Sequence, residues 1–207
     1  MPSATLTPLS NQMPAVVSVS SELSGANWVS RFPAQSTTAY LTPTFRTSVD
    51  QFLAALSMSG VHHHITNTFR PRERAYLMHW AHKIYRNNLN PANVPPMDGV
   101  NIDWVHSTLA QSVDAAYDMV LGFDILGLAQ NTAPALNTLH ATGQAIDMSV
   151  WWTGNVSVAK SDGVLVDINT MPRTGMNAQL KLIGASYGVV KFIGGNADRP
   201  HWSTTGH

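Results

Sequence analysis

The side chains of this protein that could do chemistry are histidines and carboxylates, since the sequence contains nine histidines and no cysteine. Without cysteine, neither a disulfide nor a thiolate metal site can form, and imidazole and carboxylate groups are the only strong metal ligands left. Two short segments bring such groups together. Residues 138–147 contain His140 and Asp147, and residues 198–202 contain His201. These two segments are the candidates for a metal site.

The two segments resemble a family of zinc peptidases that includes D-alanyl-D-alanine carboxypeptidases, vancomycin-resistance dipeptidases and phage L-alanyl-D-glutamate endopeptidases. The family pattern is Ser-x-His-x-x-Gly-x-Ala-x-Asp, followed far downstream by Asp or Glu, two residues, His and an aromatic residue. Residues 138–147 read Thr-Leu-His-Ala-Thr-Gly-Gln-Ala-Ile-Asp, and residues 198–202 read Asp-Arg-Pro-His-Trp. Only Thr138 departs from the pattern, where serine is usual. Residues 66–70 are also similar to the strand-end Thr-x-Tyr-Arg of the family, with Phe69 in place of tyrosine.

The resemblance implies that His140, Asp147 and His201 bind a catalytic zinc ion. Two neutral imidazoles and one carboxylate leave a residual positive charge and an open coordination position, which is typical of catalytic zinc sites. A water molecule in that position ionises near neutral pH, because its pKa falls from about 15.7 to about 7. The implied activity is hydrolysis of a peptide bond in the stem peptide of bacterial peptidoglycan. Whether the enzyme is a carboxypeptidase or an endopeptidase, and whether it cuts D-Ala-D-Ala, L-Ala-D-Glu or a cross-link, stays open.

The resemblance also gives roles to residues around the ligands. Asp198 lies three residues before His201, close enough to accept the proton of the attacking water and pass it to the leaving amine. Arg70 offers a planar set of donors that suits either the oxyanion at the scissile carbonyl or a substrate carboxylate. Thr138 is expected to donate a hydrogen bond to the substrate, and Trp202 to pack beneath the site.

Simpler roles and other functions remain open alternatives. Asp198 could only cap the turn before His201, and Arg70 could form an ion pair with Glu73. The chain could be a zinc-containing wall-binding or signalling module without turnover, like the hedgehog signalling domain, which shares the fold of this family. It could also be an unrelated structural protein, for instance a component of a phage particle.

The remaining histidines are not expected to bind a metal. Residues 62–64 are consecutive histidines on a predicted strand, where neighbouring side chains point to opposite faces and cannot converge on one ion. His79 and His82 are three residues apart on a predicted helix and lack the glutamate of the metalloprotease motif, so surface or supporting roles are expected. His106 and His207 have no recognisable partner.

The elements that must position these residues follow from hydrophobic periodicity. Helices are predicted over residues 47–59, from Pro71, over 109–121 and near 177–186; strands are predicted over 61–69, 145–152, 156–158, 164–168 and 189–193. Ser161-Asp162-Gly163 predicts a hairpin turn. Because hairpin-joined strands are preceded and followed by helices, we predict an α+β fold with a mainly antiparallel sheet and helices packed on it.

Composition limits the partners and the location. Residues 1–46 contain three charged side chains amid Ser, Thr, Pro and Ala, which predicts a loosely ordered N-terminal arm before a zinc peptidase domain over 47–207. Twelve basic residues balance twelve acidic ones, so nucleic acid is not an expected partner. Residues 1–20 lack the pattern of a Sec signal, and no membrane span is expected. Synthesis in the cytoplasm would then be followed by action in the periplasm or cell wall, after lysis or non-Sec export. An immunity protein or a secretion or phage partner is left open.

Overall fold

The computed structural model describes residues 20–207, which form a mixed α+β arrangement. The helices are α1 Pro43–Met58, α2 Arg72–Asn87, α3 Leu109–Gly122 and α4 Ala178–Ser186. The strands are β1 Glu22–Leu23, β2 His62–Asn67, β3 Ile102–Asp103, β4 Ala145–Trp151, β5 Val156–Ala159, β6 Leu165–Ile168, β7 Val190–Lys191 and β8 His201–Ser203. The predicted α+β class is confirmed. Every helix predicted from periodicity is present, whereas β8 was not predicted, because three residues are too few to show a period.

The central sheet has four strands in the order β2-β4-β8-β7, and every neighbouring pair is antiparallel. Its register places Asp147 of β4 opposite Asn67 of β2 on one side and opposite His201 of β8 on the other. Residues directly opposite in an antiparallel pair have Cβ atoms about 4.5–5.5 Å apart. The register therefore brings together two residues that lie 54 positions apart in the chain.

The first hydrophobic core lies between one face of this sheet and α1. Alternation along β4 points Ile146, Met148 and Val150 into the core, so Asp147 and Ser149 point to the opposite face. The ring of Trp202 is completely buried, 5.6 Å from the ring of Phe52. Trp202 thus packs beneath its neighbour His201, as the sequence predicted. The alternation therefore places the core side chains on one face of the sheet and the candidate ligand Asp147 on the other.

Helix α1 begins at Pro43 rather than near residue 47, in keeping with the preference for proline in the first turn. The amide of Thr42, which precedes the helix, donates to the carbonyl oxygen of Gly143 at 2.9 Å. Gly143 has a φ of 66°, and a Cβ there would lie 2.7 Å from the carbonyl oxygen of Tyr40. Only glycine fits both this conformation and this close approach. Gly143 therefore holds the segment that contains His140 against the start of α1.

A second hydrophobic core is formed by α2, α3 and the loops around them. Helix α2 begins directly after Arg70 and Pro71, so this core holds the segment that leads out of the central sheet. Trp28 is buried in the same core. Part of the predicted arm, residues 1–19, lies outside the described residues. Within residues 20–46, Gln35 exchanges backbone hydrogen bonds with Thr68 and Phe69 at 2.7–2.8 Å, which supports the chain just before Arg70.

Strands β5 and β6 form the predicted hairpin, but as a separate two-stranded sheet. In the turn, a carboxylate oxygen of Asp162 accepts from the amide of Val164 at 3.1 Å, and Gly163 has a φ of 83°. The hairpin contacts α1 through β5 and α4 through β6. Among the described residues, no helix combines the length and the apolar character needed to cross a membrane.

His82 of α2 is fully buried, which excludes the surface position that was one of the two roles expected for it. Neither of its ring nitrogens has a hydrogen-bond partner among the described residues. Burial lowers the pKa of His82, and the positive charges of Arg86 and Lys83 act in the same direction. Protonation of His82 is therefore less favourable in the folded protein than in the unfolded chain.

We expect His82 to make the folded state less stable as the pH falls below about 6.5, the ordinary pKa of histidine in an unfolded chain. Below that pH the unfolded chain binds a proton that the folded protein resists, so the free energy of unfolding decreases. Urea unfolding between pH 8 and 5 measures this for the natural protein and His82→Leu under identical metal conditions. The variant should lose less stability over this interval; parallel curves would exclude His82 as the cause.

Candidate metal centre

Three side chains converge on the face of the sheet opposite the first core. Nε2 of His140 lies 3.2 Å from Oδ1 of Asp147 and 3.2 Å from Nδ1 of His201, and the last two atoms are 3.1 Å apart. All three residues are buried. His140 comes from the short helical turn Leu139–Thr142, Asp147 from β4 and His201 from β8. The predicted ligand residues are therefore brought together, and the group could hold a metal ion.

The donor triangle has the dimensions of one face of a small coordination tetrahedron. Zinc bonds of about 2.0–2.1 Å to nitrogen and oxygen give tetrahedral edges of about 3.3 Å. The observed edges of 3.1–3.2 Å are close to that value. Two imidazoles and one carboxylate suit zinc, and they also suit iron(II). The residues present thus fit a divalent cation with a remaining open position.

The hydrogen bond on the far side of His201 determines which ring nitrogen faces the centre. Nε2 of His201 lies 3.0 Å from the backbone carbonyl oxygen of His207. A carbonyl oxygen can only accept, so Nε2 carries the hydrogen, and a neutral ring then presents a lone pair at Nδ1. That lone pair faces the carboxylate of Asp147 at 3.1 Å. Two acceptors this close repel each other unless a cation or a proton lies between them.

The second carboxylate oxygen of Asp147 is held from outside the triangle. Nδ2 of Asn67 lies 3.4 Å from Oδ2 of Asp147, and Nη2 of Arg70 lies 3.8 Å from the same oxygen. The other carboxylate oxygen, Oδ1, is thereby left free to bind an ion together with His140 and His201. Burial by itself raises the pKa of the Asp147 carboxyl, but when the imidazoles of His140 and His201 carry an extra proton, their hydrogen bonds and positive charge outweigh burial and hold the pKa far below the usual range. Asp147 is therefore a carboxylate, the form that binds metals.

Asp198 lies at the edge of the triangle, with Oδ2 4.0 Å from Nδ1 of His201. It ends the short helical turn Gly195–Asp198 that precedes β8. Burial raises the pKa of the Asp198 carboxyl, and the negative charge of Asp147 raises it further. A raised pKa brings a carboxyl closer to the value at which it exchanges protons efficiently near neutral pH.

Arg70 lies beside the triangle, and Thr138 precedes the short helical turn that carries His140. The guanidinium of Arg70 faces Asp147, and no ion pair with Glu73 is found in the part of the chain that the structure describes. The backbone amide of Arg70 donates to the carbonyl oxygen of His140 at 3.2 Å, which joins the end of β2 to the turn that carries this ligand. The hydroxyl oxygen of Thr138 accepts from the amide of His140 at 3.3 Å, and its own hydrogen is not used in that bond.

Sequence reasoning did not single out three groups that shape the site: Asn67, Lys191 and the carbonyl oxygen of His207. Nζ of the buried Lys191 donates to the carbonyl oxygens of Arg199 and His201, the latter at 3.1 Å, and so fixes the segment that carries His201. Burial lowers the pKa of Lys191 to about 8, although the negative charge of Asp198 opposes this. These contacts join residues through backbone oxygens or across strands, which no spacing pattern reveals. Only Asn67 had a signal, since it lies inside the segment that resembles the family.

Comparison with protein-family models, curated proteins and solved structures finds no match for this chain.

We expect the segment after β8, which brings the carbonyl oxygen of His207 to the ring of His201, to control metal affinity. A Cβ at Gly206, where φ is 81°, would lie 2.9–3.0 Å from atoms of Ile193, Lys191 and Val190. Gly206→Ala should therefore displace the carbonyl of His207. Loss of the partner that orients a ligating histidine costs about 10- to 100-fold in metal affinity.

Competition for zinc with a coloured chelator measures this affinity. The matched control is Gly163→Ala, which introduces the same kind of strain at a φ of 83° with no atom near the added Cβ. The control should lose some stability and keep the affinity of the natural protein. Equal affinities in all three proteins would show that the contact with His207 does not orient His201.

Proposed function

We propose that this protein is a zinc-dependent peptidase that hydrolyses a peptide bond in the stem peptide of peptidoglycan. His140, Asp147 and His201 bind the ion. The observation that carries the proposal is the triangle of donor atoms 3.1–3.2 Å apart, with a carboxyl and a guanidinium directly beside it. The three sequence segments that resemble the zinc peptidase family meet at this triangle, which supports assigning the chain to the hedgehog/DD-peptidase fold family.

Zinc, when bound, supplies Lewis-acid chemistry, activating water near neutral pH and polarising the scissile carbonyl. Iron(II) would suit the same donors but is a centre for oxygen chemistry. The groups beside the triangle favour hydrolysis. Asp198 is a carboxyl with a raised pKa, and Arg70 is a permanent cation.

Asp198 acts first as a base and then as an acid. Its Oδ2 lies 4.0 Å from Nδ1 of His201, beside the group that would hold the ion and its water. It accepts a proton from the attacking water and delivers it to the nitrogen of the leaving amine. Burial supports this role, because it favours the neutral carboxylic acid needed for the second step.

Arg70 stabilises negative charge on the substrate. Its Nη2 lies 3.8 Å from Oδ2 of Asp147, too long for a strong hydrogen bond, so its donors stay available for another oxygen. That oxygen belongs to the developing oxyanion or to a substrate carboxylate. The end of β2 before Arg70 and the start of α2 after it hold the backbone of Arg70 in position.

The alternative from another class is a zinc-containing wall-binding or signalling module without turnover. Such a module needs the three ligands but has no use for a half-buried carboxyl with a raised pKa beside them. Asp198 therefore favours the enzyme. Digestion of cell wall separates the two functions.

We expect the purified protein to cut purified peptidoglycan and release fragments with new ends at one type of stem-peptide bond, detected by mass spectrometry. Asp198→Asn should retain zinc and lose about 10²- to 10⁴-fold in rate, the usual contribution of a general acid–base group. His201→Ala should lose both zinc and activity. Asp114→Asn, which removes an exposed carboxylate on α3, is the matched control and should keep the natural rate. Equal product from His201→Ala and the natural protein would eliminate the metal mechanism.

We expect gentle purification to yield close to one equivalent of zinc per chain, measured by elemental analysis, because a buried three-ligand site retains its ion. Asp147→Asn should reduce the bound zinc strongly, since the amide removes the only negative charge among the ligands. Less than about half an equivalent of zinc in the natural protein, or iron in its place, contradicts the assignment of the metal.

A further inference from the structure

A row of side chains runs along β4 away from the candidate metal centre. Ser149 and Trp151 follow Asp147 at intervals of two residues, so all three point to the face of the sheet opposite the first core. A strand rises about 3.4 Å per residue, which places Trp151 about 13 Å from Asp147. Both Ser149 and Trp151 are exposed. The row is therefore a surface that a substrate held at the metal centre can reach.

Trp151 ends this row as a large aromatic group with 45% of its surface exposed. His62 of β2 lies opposite Trp151 in the register, and the two rings are stacked, with centroids 5.6 Å apart and planes inclined by 24°. The stacked imidazole holds the indole in one orientation on the sheet. An indole fixed in this way and still open to solvent can stack on a second flat group without first losing rotational freedom.

A cavity of about 400 Å³ adjoins Trp151, a size within the range of small-ligand sites. It is lined by residues 148–151 of β4, residues 174–176 and residues 199–200, and is here named the Trp151 cleft. Met148 and Val150 are buried in the first core, so the exposed side chains that β4 contributes to the cleft are Ser149 and Trp151. Pro200 directly precedes the candidate ligand His201, so the cleft begins beside the metal centre.

The side chains of the Trp151 cleft combine an aromatic wall with hydrogen-bond donors. Ser149 offers a hydroxyl, and the exposed Arg199 offers a guanidinium that forms no ion pair with the residues that the structure describes. Among residues 20–207, no carboxylate lines the cleft, so an ammonium group would find no counter-charge there. The lining instead suits a ligand with a flat apolar face and oxygen acceptors around its rim. A pyranose ring with hydroxyl and acetamido groups has this chemistry.

We propose that the Trp151 cleft binds one N-acetylated sugar ring of the glycan strand to which the stem peptide is attached. The apolar face of the ring stacks on Trp151, and Ser149 and Arg199 donate hydrogen bonds to its oxygen atoms. An extended chain spans about 3.3–3.6 Å per residue, so about four stem residues reach from the metal centre to Trp151. This inference rests on the proposed peptidase function and deepens it, because it makes the glycan a recognised part of the substrate.

The sugar site can be tested with two ligands that share one stem peptide. The first is the free pentapeptide L-Ala-D-Glu-L-Lys-D-Ala-D-Ala, and the second is the same pentapeptide attached to its N-acetylglucosamine–N-acetylmuramic acid disaccharide. Binding is measured by calorimetry with zinc-loaded Asp198→Asn protein, in which cutting is slowed. The disaccharide pentapeptide should bind about tenfold more tightly than the free pentapeptide. Adding Trp151→Ala should remove this difference by raising Kd for the disaccharide pentapeptide alone, as expected for one lost stacking contact.

Further variants separate stacking from general damage to the sheet. Trp151→Phe keeps a flat ring and should retain most of the preference for the disaccharide pentapeptide. Arg199→Gln, on another wall of the cleft, should raise Kd several-fold for the disaccharide pentapeptide and leave Kd for the free pentapeptide unchanged. Leu182→Ala, which removes an exposed apolar side chain of α4, is the matched control and should change neither value. Equal Kd values of the two ligands before Trp151 is changed, or an equal effect of Trp151→Ala on both, would overturn the proposal.

Failure of the sugar site and failure of the peptidase function give different results. If the natural protein does not cut peptidoglycan but Trp151 and Arg199 still control binding of the disaccharide pentapeptide, the sugar site stands and the peptidase function falls. If the natural protein cuts peptidoglycan and the disaccharide adds nothing to binding, the peptidase function stands and the sugar site falls.

Discussion

The geometry of the candidate metal site depends on the pairing register between β4 and β8. Asp147 stands directly opposite His201, and the backbone ladder that fixes this pairing also contains Ile146 and Trp202 on the core face. A slip by one residue would turn every side chain of a strand to the other face. It would place Trp202 in water and His201 in the core. The burial of Trp202 against Phe52 therefore selects the one register in which two ligands meet.

The third ligand is brought to this pair by backbone contacts and not by a strand. Gly143 closes the helical turn after His140 and lets it approach the backbone of Tyr40. The amide of Arg70 binds the carbonyl of His140 from the other side. A buried carboxylate facing imidazole lone pairs is costly without a compensating positive charge. The fold thus concentrates polar atoms at a point where a cation would relieve their repulsion.

Much of this arrangement is visible in the sequence, for definable reasons. Helices such as α2 have long periodic patterns, so their positions were predicted. The hairpin was predicted from the distinctive turn residues Ser161–Gly163. The candidate ligands His140, Asp147 and His201 stand in segments with a distinctive spacing. By contrast, β8 has only three residues, and its position is set by pairing with β4.

Contacts made through backbone atoms could not be predicted from the sequence either. The carbonyl of His207 orients His201, although the side chain of His207 gave no signal. Lys191 holds the same segment through two carbonyl oxygens. The spacing of His82 on α2 left a surface and a supporting role open, and tertiary packing buries it completely. In each case the deciding interaction joins residues that local pattern does not connect.

The division into two hydrophobic cores has a consequence for inactivation by heat. The three candidate metal ligands are held by the sheet and α1 of the first core, whereas Arg70 leads directly into α2 of the second core. Cooperative units of a protein can open separately when each has its own packing. Melting of the second core would therefore free the guanidinium of Arg70 from the site, while the pairing of β4 with β8 kept Asp147 opposite His201. For the proposed zinc peptidase, turnover would be lost on warming before the ion is released, and cooling would restore turnover without a fresh supply of metal.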